Sequence, residues 1–381
     1  MPKLSIMIKP ASSACNMKCE YCFYCDEIKY RDVKNFGIID EKTTEQLIIK
    51  AMELSNGDSI AFAFQGGEPT LRGLDYFRFF VDTVKKYNKK YCQIFYSLQT
   101  NGLLIDEEWC RFLRQNEFLV GLSLDGTRDD NIYRLDKEGR ETFDRIINAT
   151  RIFNKYEVAF NILTVVTKKV ATNIDNIYDF YKSMGFKYLQ FIPCIRNFDS
   201  ENDNKSIPNS QSNAKKDKVE LALDKDIYMD QKEYSEFLSR LFSRYIKDYT
   251  DGDYTSIRMF DNFVALYKGE KAEQCGMEGH CTYQFVVEGN GNVYPCDFYC
   301  LDKYLLGNIA SMGLKEMADS DRAKNFILES LEREPRCVRC AYFKICRGGG
   351  CKRNKQAYDY CEAYKDFFDK NLHLFRVFYL L

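Results

Sequence analysis

The chain has 381 residues, of which 45% are hydrophobic and 29% charged, a balance typical of a folded globular protein. Its 55 lysines and arginines against 56 aspartates and glutamates leave no charge excess of the kind that binds nucleic acid or an anionic membrane. Neither a transmembrane run nor a signal peptide is apparent, because the apolar stretch Leu4–Ile8 is short and is followed by Lys9 and Pro10. We therefore expect a cytoplasmic protein with reduced thiols and no membrane partner.

Short β-like runs alternate with amphipathic stretches from the N-terminus to about residue 195. Six strand–helix units in succession favour a parallel α/β sheet, open or curved into a partial barrel, which carries its chemistry at the C-terminal ends of the strands. The predicted strands are Leu4–Ile8, Ser59–Phe64, Gln93–Leu98, Leu119–Leu124, Val158–Val166 and Tyr188–Ile192. The predicted helices are Glu41–Leu54, Tyr76–Tyr87, Asp106–Arg114, Glu141–Asn154 and Asn173–Ser183.

The second half of the chain has a different character. Residues 197–218 are almost entirely polar, which predicts a solvated loop or a disordered insertion. A helix near Gln231–Tyr249 leads to a cysteine-rich region, and Cys361–Leu381 reads as one amphipathic helix docked on the core. We expect the partial barrel to span residues 1–230 and a second, cysteine-rich domain to span 231–381.

Sixteen cysteines are the anomaly in the composition, and metal or cluster ligation suits a large chain better than a disulfide framework does. Cys15-x3-Cys19-x2-Cys22 directly follows the first strand. Three thiolates can hold three irons of a cubane 4Fe–4S cluster and leave the fourth iron open, as a catalytic metal requires. The alternative is a structural zinc site with Cys25 as its fourth ligand.

This triplet after the first strand of a βα array resembles the radical S-adenosylmethionine (AdoMet) superfamily. The resemblance implies that AdoMet chelates the open iron and yields a 5′-deoxyadenosyl radical, which abstracts hydrogen from unactivated carbon. Gln65-Gly66-Gly67-Glu68-Pro69-Thr70 matches the glycine-rich element of the superfamily, whose glycines let the backbone approach the methionine amine while Glu68 carries charge nearby.

Further cofactor contacts are implied by position in the same superfamily. Tyr21 matches an aromatic residue that packs on the adenine, and Ile195 matches a contact to the adenine edge. Ser123 and Arg134 match positions that bind the ribose and carboxylate ends of AdoMet. The alternatives are ordinary strand-end polarity for Ser123 and a solvated surface charge for Arg134.

Cys337-x2-Cys340 could begin a zinc ribbon. The full arrangement is Cys281-x9-Gly291-x4-Cys296, then Cys337-x2-Cys340-x5-Cys346, Cys351 and Cys361. This arrangement resembles the SPASM domain, which carries two auxiliary 4Fe–4S clusters. The spacing between Cys346 and Cys351 is one residue longer than the family pattern, and the glycines within it could absorb the insertion. The resemblance assigns Cys275, Cys281, Cys296 and Cys351 to the first auxiliary cluster and Cys337, Cys340, Cys346 and Cys361 to the second. Cys92, Cys110 and Cys194 are expected in or near the core, and Cys300 is an additional thiol.

Within this group the chain most resembles the anaerobic sulfatase-maturating enzymes, which oxidise a cysteine or serine of a nascent sulfatase to Cα-formylglycine. The match includes the runs Ile8–Ser13, Phe62–Thr70, Ser97–Gly102, Gln284–Glu288 and Val293–Tyr299. It implies that Asp297 is the base for the substrate heteroatom, in a polar network with Tyr24 and Gln65. The implied partners are an unfolded sulfatase carrying a Cys/Ser-x-Pro/Ala-x-Arg motif and a flavodoxin- or ferredoxin-type electron donor.

Two other functions remain open at this point. A maturase that forms a thioether or carbon–carbon link in a ribosomally made peptide would use the same clusters and cofactor. A non-catalytic zinc-binding scaffold would use only the cysteines.

Overall fold

The computed structural model describes residues 3–196, 227–357 and 360–380. The polar insertion predicted at 197–218 lies outside these described residues. Among them, no helix combines the length and apolarity needed to cross a bilayer. The strands in chain order are β1 (Leu4–Ile8), β2 (Met17–Cys19), β3 (Ile60–Phe64), β4 (Ile94–Thr100), β5 (Leu119–Ser123), β6 (Arg134–Asp136), β7 (Phe160–Val166), β8 (Tyr188–Pro193), β9 (Ser256–Ile257), β10 (Phe285–Val287), β11 (Asn292–Tyr294) and β12 (Gly307–Asn308).

The helices include all those predicted from the sequence before residue 361, with bounds shifted by up to two residues. In chain order they are α1 (Phe23–Glu27), α2 (Glu41–Ser55), α3 (Leu74–Tyr87), α4 (Glu107–Gln115), α5 (Phe143–Lys155), α6 (Lys168–Thr172), α7 (Ile174–Ser183), α8 (Gln231–Asp251), α9 (Arg258–Tyr267), α10 (Leu314–Asp319), α11 (Asp321–Ser330), α12 (Phe343–Cys346), α13 (Lys352–Ala357), α14 (Cys361–Asn371) and α15 (Val377–Leu380).

The chain forms two compact units. Unit 1 comprises Met1–Leu124, Arg134–Asn161 and Thr282–Glu329, and unit 2 comprises Asp125–Tyr133, Ile162–Cys281 and Ser330–Leu381. These units are not continuous in sequence, and the domain boundary near residue 230 stays a prediction.

Unit 1 is built on a sheet whose strands run in the order β12-β11-β10-β1-β3-β4-β5. The pairs β1–β3, β3–β4 and β4–β5 are parallel, as the βα alternation predicts. Strand β10 adds to the other edge of β1 in parallel, with Ile8 opposite Val287. The residues that follow β1, β3 and β10 are therefore brought to one edge of the sheet.

Unit 2 carries the parallel strands β7, β8 and β9 together with the closing helices. The interpretation of Cys361–Leu381 as a single helix is wrong, because a 3₁₀ turn at Leu372–Arg376 separates α14 from α15. Asn371 explains the break: its side chain donates to the Phe367 carbonyl at 2.8 Å, where it competes with the helical backbone. Docking on the core is confirmed, since Phe367, Phe368 and Phe375 are fully buried.

Candidate active site

The three cysteines that follow β1 lie in a loop of unit 1 shaped by a two-stranded ribbon. Strand β2 pairs antiparallel with β6, so that Cys19 lies opposite Arg134, and Cys22 directly precedes helix α1. All three thiols are partly exposed. Burial raises the pKa of Cys15 to about 11, whereas a hydrogen bond from the Cys25 thiol lowers that of Cys22 to about 6. The donor set fits the open cubane cluster expected here.

The glycine-rich loop after β3 packs directly on this cysteine loop. Gly67 has a φ of 53°, and a Cβ atom on it would overlap the carbonyl oxygen of Ala14. The next amide, that of Glu68, donates to the same Ala14 carbonyl at 2.8 Å. Gly67 is thus required for the contact between the two loops, whatever its part in binding the methionine amine.

Glu68 is only 1% exposed and its carboxylate is fully engaged with protein donors. Oε1 accepts from the Thr70 and Thr100 hydroxyls at 2.6 and 2.8 Å, and Oε2 accepts from the Asn101 amide at 2.8 Å. Asn101 in turn points its side-chain nitrogen at the Cys15 sulfur, 3.8 Å away. Glu68 therefore links the ends of β3 and β4 next to the cysteine loop.

The other predicted cofactor residues lie at strand ends, as expected from the sequence. Arg134 is buried, with its guanidinium 5.4 Å from the Tyr21 ring centroid, so it is not a solvated surface charge. Ser123 accepts a hydrogen bond from Gln99 at 3.1 Å at the end of β5. Ile195 is buried two residues after β8 in unit 2.

Asp297, Tyr24 and Gln65 form the hydrogen-bonded group that the resemblance implied. Asp297 Oδ2 accepts from the Tyr24 hydroxyl at 2.6 Å and from Gln65 Nε2 at 2.9 Å. Its other oxygen, Oδ1, is buried and has no hydrogen-bond partner among the described residues. Burial raises the pKa of Asp297, while Lys9 opposes this rise. With 5% exposure, Asp297 is not a solvent-exposed turn carboxylate.

Sequence analysis missed the buried ions beneath this group. Lys9, which follows β1, is completely buried, with Nζ 2.9 Å from Glu288 Oε1 and 3.5 Å from Glu27 Oε2. Arg31 also binds Glu288 Oε1, at 2.6 Å. The available signal was Lys9 itself, a charged residue directly after a buried strand, with Glu288 in the same position after β10.

The cysteines of the second predicted auxiliary cluster converge in unit 2. Cys337, Cys340, Cys346 and Cys361 line one cavity of about 70 Å³. Burial and the neighbouring Cys361 and Cys337 raise the pKa of Cys346 to about 11. Four thiols around one cavity fit a cubane cluster. No three His, Cys, Asp or Glu side chains in the described residues are arranged to hold a single metal ion.

The first predicted auxiliary set is divided between the two units. Cys275, Cys281 and Cys351 belong to unit 2, where the Cys351 amide donates to the Gly276 carbonyl at 3.0 Å. Cys296 belongs to unit 1, directly before Asp297. The longer spacing before Cys351 is taken up by a left-handed run with φ between 53° and 93°, from Arg347 to Gly350.

The remaining cysteines are placed as predicted. Cys92, Cys110 and Cys194 are buried, which confirms their assignment to the core. Cys300 is also buried, and its amide donates to Glu27 Oε1 at 2.7 Å, within the ion group around Lys9.

Two family models match the chain, the Radical SAM superfamily over residues 10–181 and SPASM, an iron-sulfur cluster-binding domain, over residues 275–341. These matches confirm the predicted fold class, a radical SAM domain followed by a SPASM domain.

Similar proteins of known name cover nearly the whole chain. A cysteine-type anaerobic sulfatase-maturating enzyme of Clostridium novyi is 42% identical over 98% of this chain and 96% of its own length. A serine-type anaerobic sulfatase-maturating enzyme of Bacteroides thetaiotaomicron is 30% identical over 92% of this chain and 83% of its own. The solved structure of native anSMEcpe with bound AdoMet has a TM-score of 0.86 and 40% identity, with 98% of both chains covered.

These likenesses favour sulfatase maturation over the peptide-crosslinking alternative, because the full-length relatives share one enzyme name. The 42% identity covers 98% of the chain, and so spans both the radical SAM and the SPASM segments. The chain therefore belongs to the anaerobic sulfatase-maturating enzymes.

Proposed function

We propose that this enzyme oxidises a cysteine of a sulfatase polypeptide to Cα-formylglycine, with Asp297 as the base that takes the proton of the substrate thiol. The preference for cysteine over serine is supported by the cysteine-type relative at 42% identity, against 30% for the serine-type relative. The substrate is an unfolded or nascent sulfatase that carries the Cys/Ser-x-Pro/Ala-x-Arg motif, and the electron donor is a flavodoxin or ferredoxin.

The observation that carries this proposal is the asymmetry of the Asp297 carboxylate. Oδ2 is held by Tyr24 and Gln65, whereas Oδ1 is buried without a hydrogen-bond partner in the described residues. Leaving a buried carboxylate oxygen unpaired costs stability, so such an atom is expected where function needs it. An unpaired oxygen with a fixed direction suits proton transfer from a bound thiol.

The residues that would hold the cofactors are those described above. Cys15, Cys19 and Cys22 would bind the first 4Fe–4S cluster, and Tyr21, Gly66, Gly67, Glu68, Ser123, Arg134 and Ile195 would surround AdoMet. When bound there, the cluster and AdoMet would supply the radical chemistry that removes a hydrogen atom from Cβ of the substrate cysteine. The eight SPASM cysteines would hold two auxiliary clusters.

The chain's own part in the oxidation is to direct the proton. Converting a cysteine side chain to a thioaldehyde removes two protons and two electrons, and one of each leaves as the abstracted hydrogen atom. Asp297 Oδ1 takes the second proton from sulfur, while Tyr24 and Gln65 keep the carboxylate from turning. The second electron would be accepted by the auxiliary cluster that Cys275, Cys281, Cys296 and Cys351 would hold. Water then replaces the sulfur of the thioaldehyde with oxygen, which gives formylglycine and releases hydrogen sulfide.

Mass spectrometry of a sulfatase-motif peptide tests this proposal. The anaerobic holoenzyme, a reductant and AdoMet are incubated with a cysteine peptide and, separately, with its serine counterpart. We expect the cysteine peptide to change by the exchange of CH2–SH for an aldehyde, and a hydrazide reagent to trap the product. Cofactor cleavage with an unchanged peptide, or a crosslinked peptide that no hydrazide captures, would contradict the proposal.

A further inference from the structure

Lys9 is placed where a lysine is rarely found. It follows β1 directly and is completely buried, although lysine is almost never fully buried unless it is paired. Burial would lower its pKa, but the thiol of Cys300 and the carboxylates of Glu27, Glu288 and Asp297 hold that pKa well above its usual value. Lys9 is therefore a fixed positive charge inside unit 1.

The ions around Lys9 are already largely satisfied by one another. Glu288 accepts from both Lys9 and Arg31, at 2.9 and 2.6 Å. Glu27 faces Lys9 at 3.5 Å and also accepts from the Cys300 amide at 2.7 Å. The group thus sets two cations, Lys9 and Arg31, against two carboxylates, Glu27 and Glu288. A buried ion group is costly to form and is weak evidence for a role in stability.

Lys9 also contacts Tyr24 and Gly66, the residue next to Gln65. Its Nζ lies 4.8 Å from the centroid of the Tyr24 ring, within the range of a cation–π interaction. Its stem runs beneath Gly66, where a Cβ atom would lie 2.6 Å from Lys9 Cγ and 2.7 Å from Cε. Gly66 is the neighbour of Gln65, so the stem supports the backbone from which the Gln65 amide reaches Asp297.

We propose that Lys9 is a positioning residue, which fixes Tyr24 from its ring face and Gln65 through the neighbouring Gly66 backbone, so that Asp297 Oδ1 stays aimed at the substrate. This inference rests on the proposed role of Asp297 as the base. It assigns Lys9 no contact with the substrate or with the reacting atoms. Displacing a group of this kind by about 1 Å can cost roughly 100-fold in rate.

A charge-balanced double variant tests the role of the ammonium group. Lys9→Met combined with Glu27→Gln removes one positive and one negative charge, keeps an unbranched stem under Gly66, and preserves the pair of Arg31 and Glu288. Glu27→Gln alone is the matched control, because it retains Lys9 and can still accept from the Cys300 amide. Both proteins are reconstituted with iron and compared with wild type.

The informative readout is the ratio of 5′-deoxyadenosine to formylglycine. We expect the double variant to keep its iron content and to cleave AdoMet within about twofold of wild type, while formylglycine formation falls at least tenfold, in the range that misplacement predicts. In a crystal structure of this variant, the Tyr24 hydroxyl should no longer lie within hydrogen-bond distance of Asp297. The Glu27→Gln control should keep the wild-type ratio of 5′-deoxyadenosine to formylglycine and the hydrogen bond between Tyr24 and Asp297.

Three results would overturn the proposal. An iron-replete double variant could form as much formylglycine per 5′-deoxyadenosine as wild type, or Glu27→Gln alone could lose as much formylglycine as the double variant. The Tyr24 hydroxyl could also stay within hydrogen-bond distance of Asp297 in the double variant. If the double variant loses its iron, Lys9→Arg decides the matter, because it keeps the cation and should keep most of the coupling. An iron-replete Lys9→Arg enzyme as uncoupled as Asp297→Asn would then refute it. Failure of the wild-type enzyme to make formylglycine would count against the proposed function, while the Tyr24 geometry would still test Lys9.

Discussion

The amide of Glu68 donates a 2.8 Å hydrogen bond to the carbonyl of Ala14, the residue directly before Cys15. This bond joins the glycine-rich loop to the cysteine loop without any side chain between them. The close approach is possible only because Gly67 lacks a Cβ atom, which would also lie 2.9 Å from the Ser12 carbonyl. The glycine-rich loop and the cysteine loop, recognised as separate motifs in the sequence, thus pack directly against each other.

We expect Gly67→Ala to weaken the packing between these two loops and the binding of iron by the cysteine loop. The new methyl group would meet backbone atoms, and the left-handed φ adds strain, for a total of about 3 kcal/mol. The midpoint of thermal unfolding should fall, and the enzyme should lose iron to a chelator faster than wild type does. Both are measured anaerobically on reconstituted protein.

Gly73→Ala is the matched control for this change. Gly73 also has a left-handed φ, of 83°, but a Cβ atom there would meet nothing within 4 Å. Only the strain of this backbone conformation, about 1–3 kcal/mol, should remain, with normal iron retention. Equal iron loss in the two variants would mean that the Gly67 contact does not protect the cluster.

Asp297→Asn should separate radical formation from product formation. The amide keeps the size of the carboxylate but cannot accept the substrate proton as a base, so formylglycine should fall at least about 100-fold, the lower end of what one general base supplies. Iron content and AdoMet cleavage should remain. Asp302→Asn, an exposed aspartate five residues later, is the control and should retain product. Unimpaired product in Asp297→Asn would remove Asp297 from the base role.

The elements of the fold were accessible to sequence reasoning because their signals are local. Period-2 and period-3.6 patterns are set within one element, and the predicted strands of the barrel region were found with bounds shifted by up to two residues. Strands of two or three residues, such as β9 and β12, are too short to show a period. The break at Asn371 also escaped, because it depends on one side chain competing for a helical carbonyl.

The site residues also differ in whether a local sequence motif identifies them. Asp297, Tyr24 and Gln65 were predicted together because each sits in a motif that a family resemblance carries. Lys9 and Glu288 were not, because their pairing joins residues far apart in sequence and only the parallel register of β1 with β10 brings them together. A lysine after a strand suggests solvent exposure unless its partner is known.

Glu68→Gln should disturb the cluster loop through Asn101. The Gln amide would have to place either its oxygen or its NH2 group against the Asn101 amide, which now donates at 2.8 Å to Oε2. Either choice leaves a buried donor facing an amide donor, at Asn101 or at Thr70, whose backbone amide now donates at 3.1 Å to Oε1, and this costs about 1–3 kcal/mol. We expect a lower unfolding midpoint and a changed EPR signal of the reduced first cluster. An unchanged signal would show that Asn101 does not transmit the loss to Cys15.

Cys361→Ser should remove one auxiliary cluster and leave the rest of the iron in place. Four thiols line the unit 2 cavity, and a serine hydroxyl is a poorer iron ligand than a thiolate, so we expect anaerobic reconstitution to yield about four irons fewer than the roughly twelve of wild type. Cys92→Ser is the control, because that buried residue pairs with the Ser55 hydroxyl at 3.2 Å, an interaction that a second hydroxyl can keep. It should bind iron normally. Iron and sulfide analysis measures both variants. A full complement of iron in Cys361→Ser, or an equal loss in Cys92→Ser, would mean that Cys361 is not a cluster ligand and that the cavity serves another purpose.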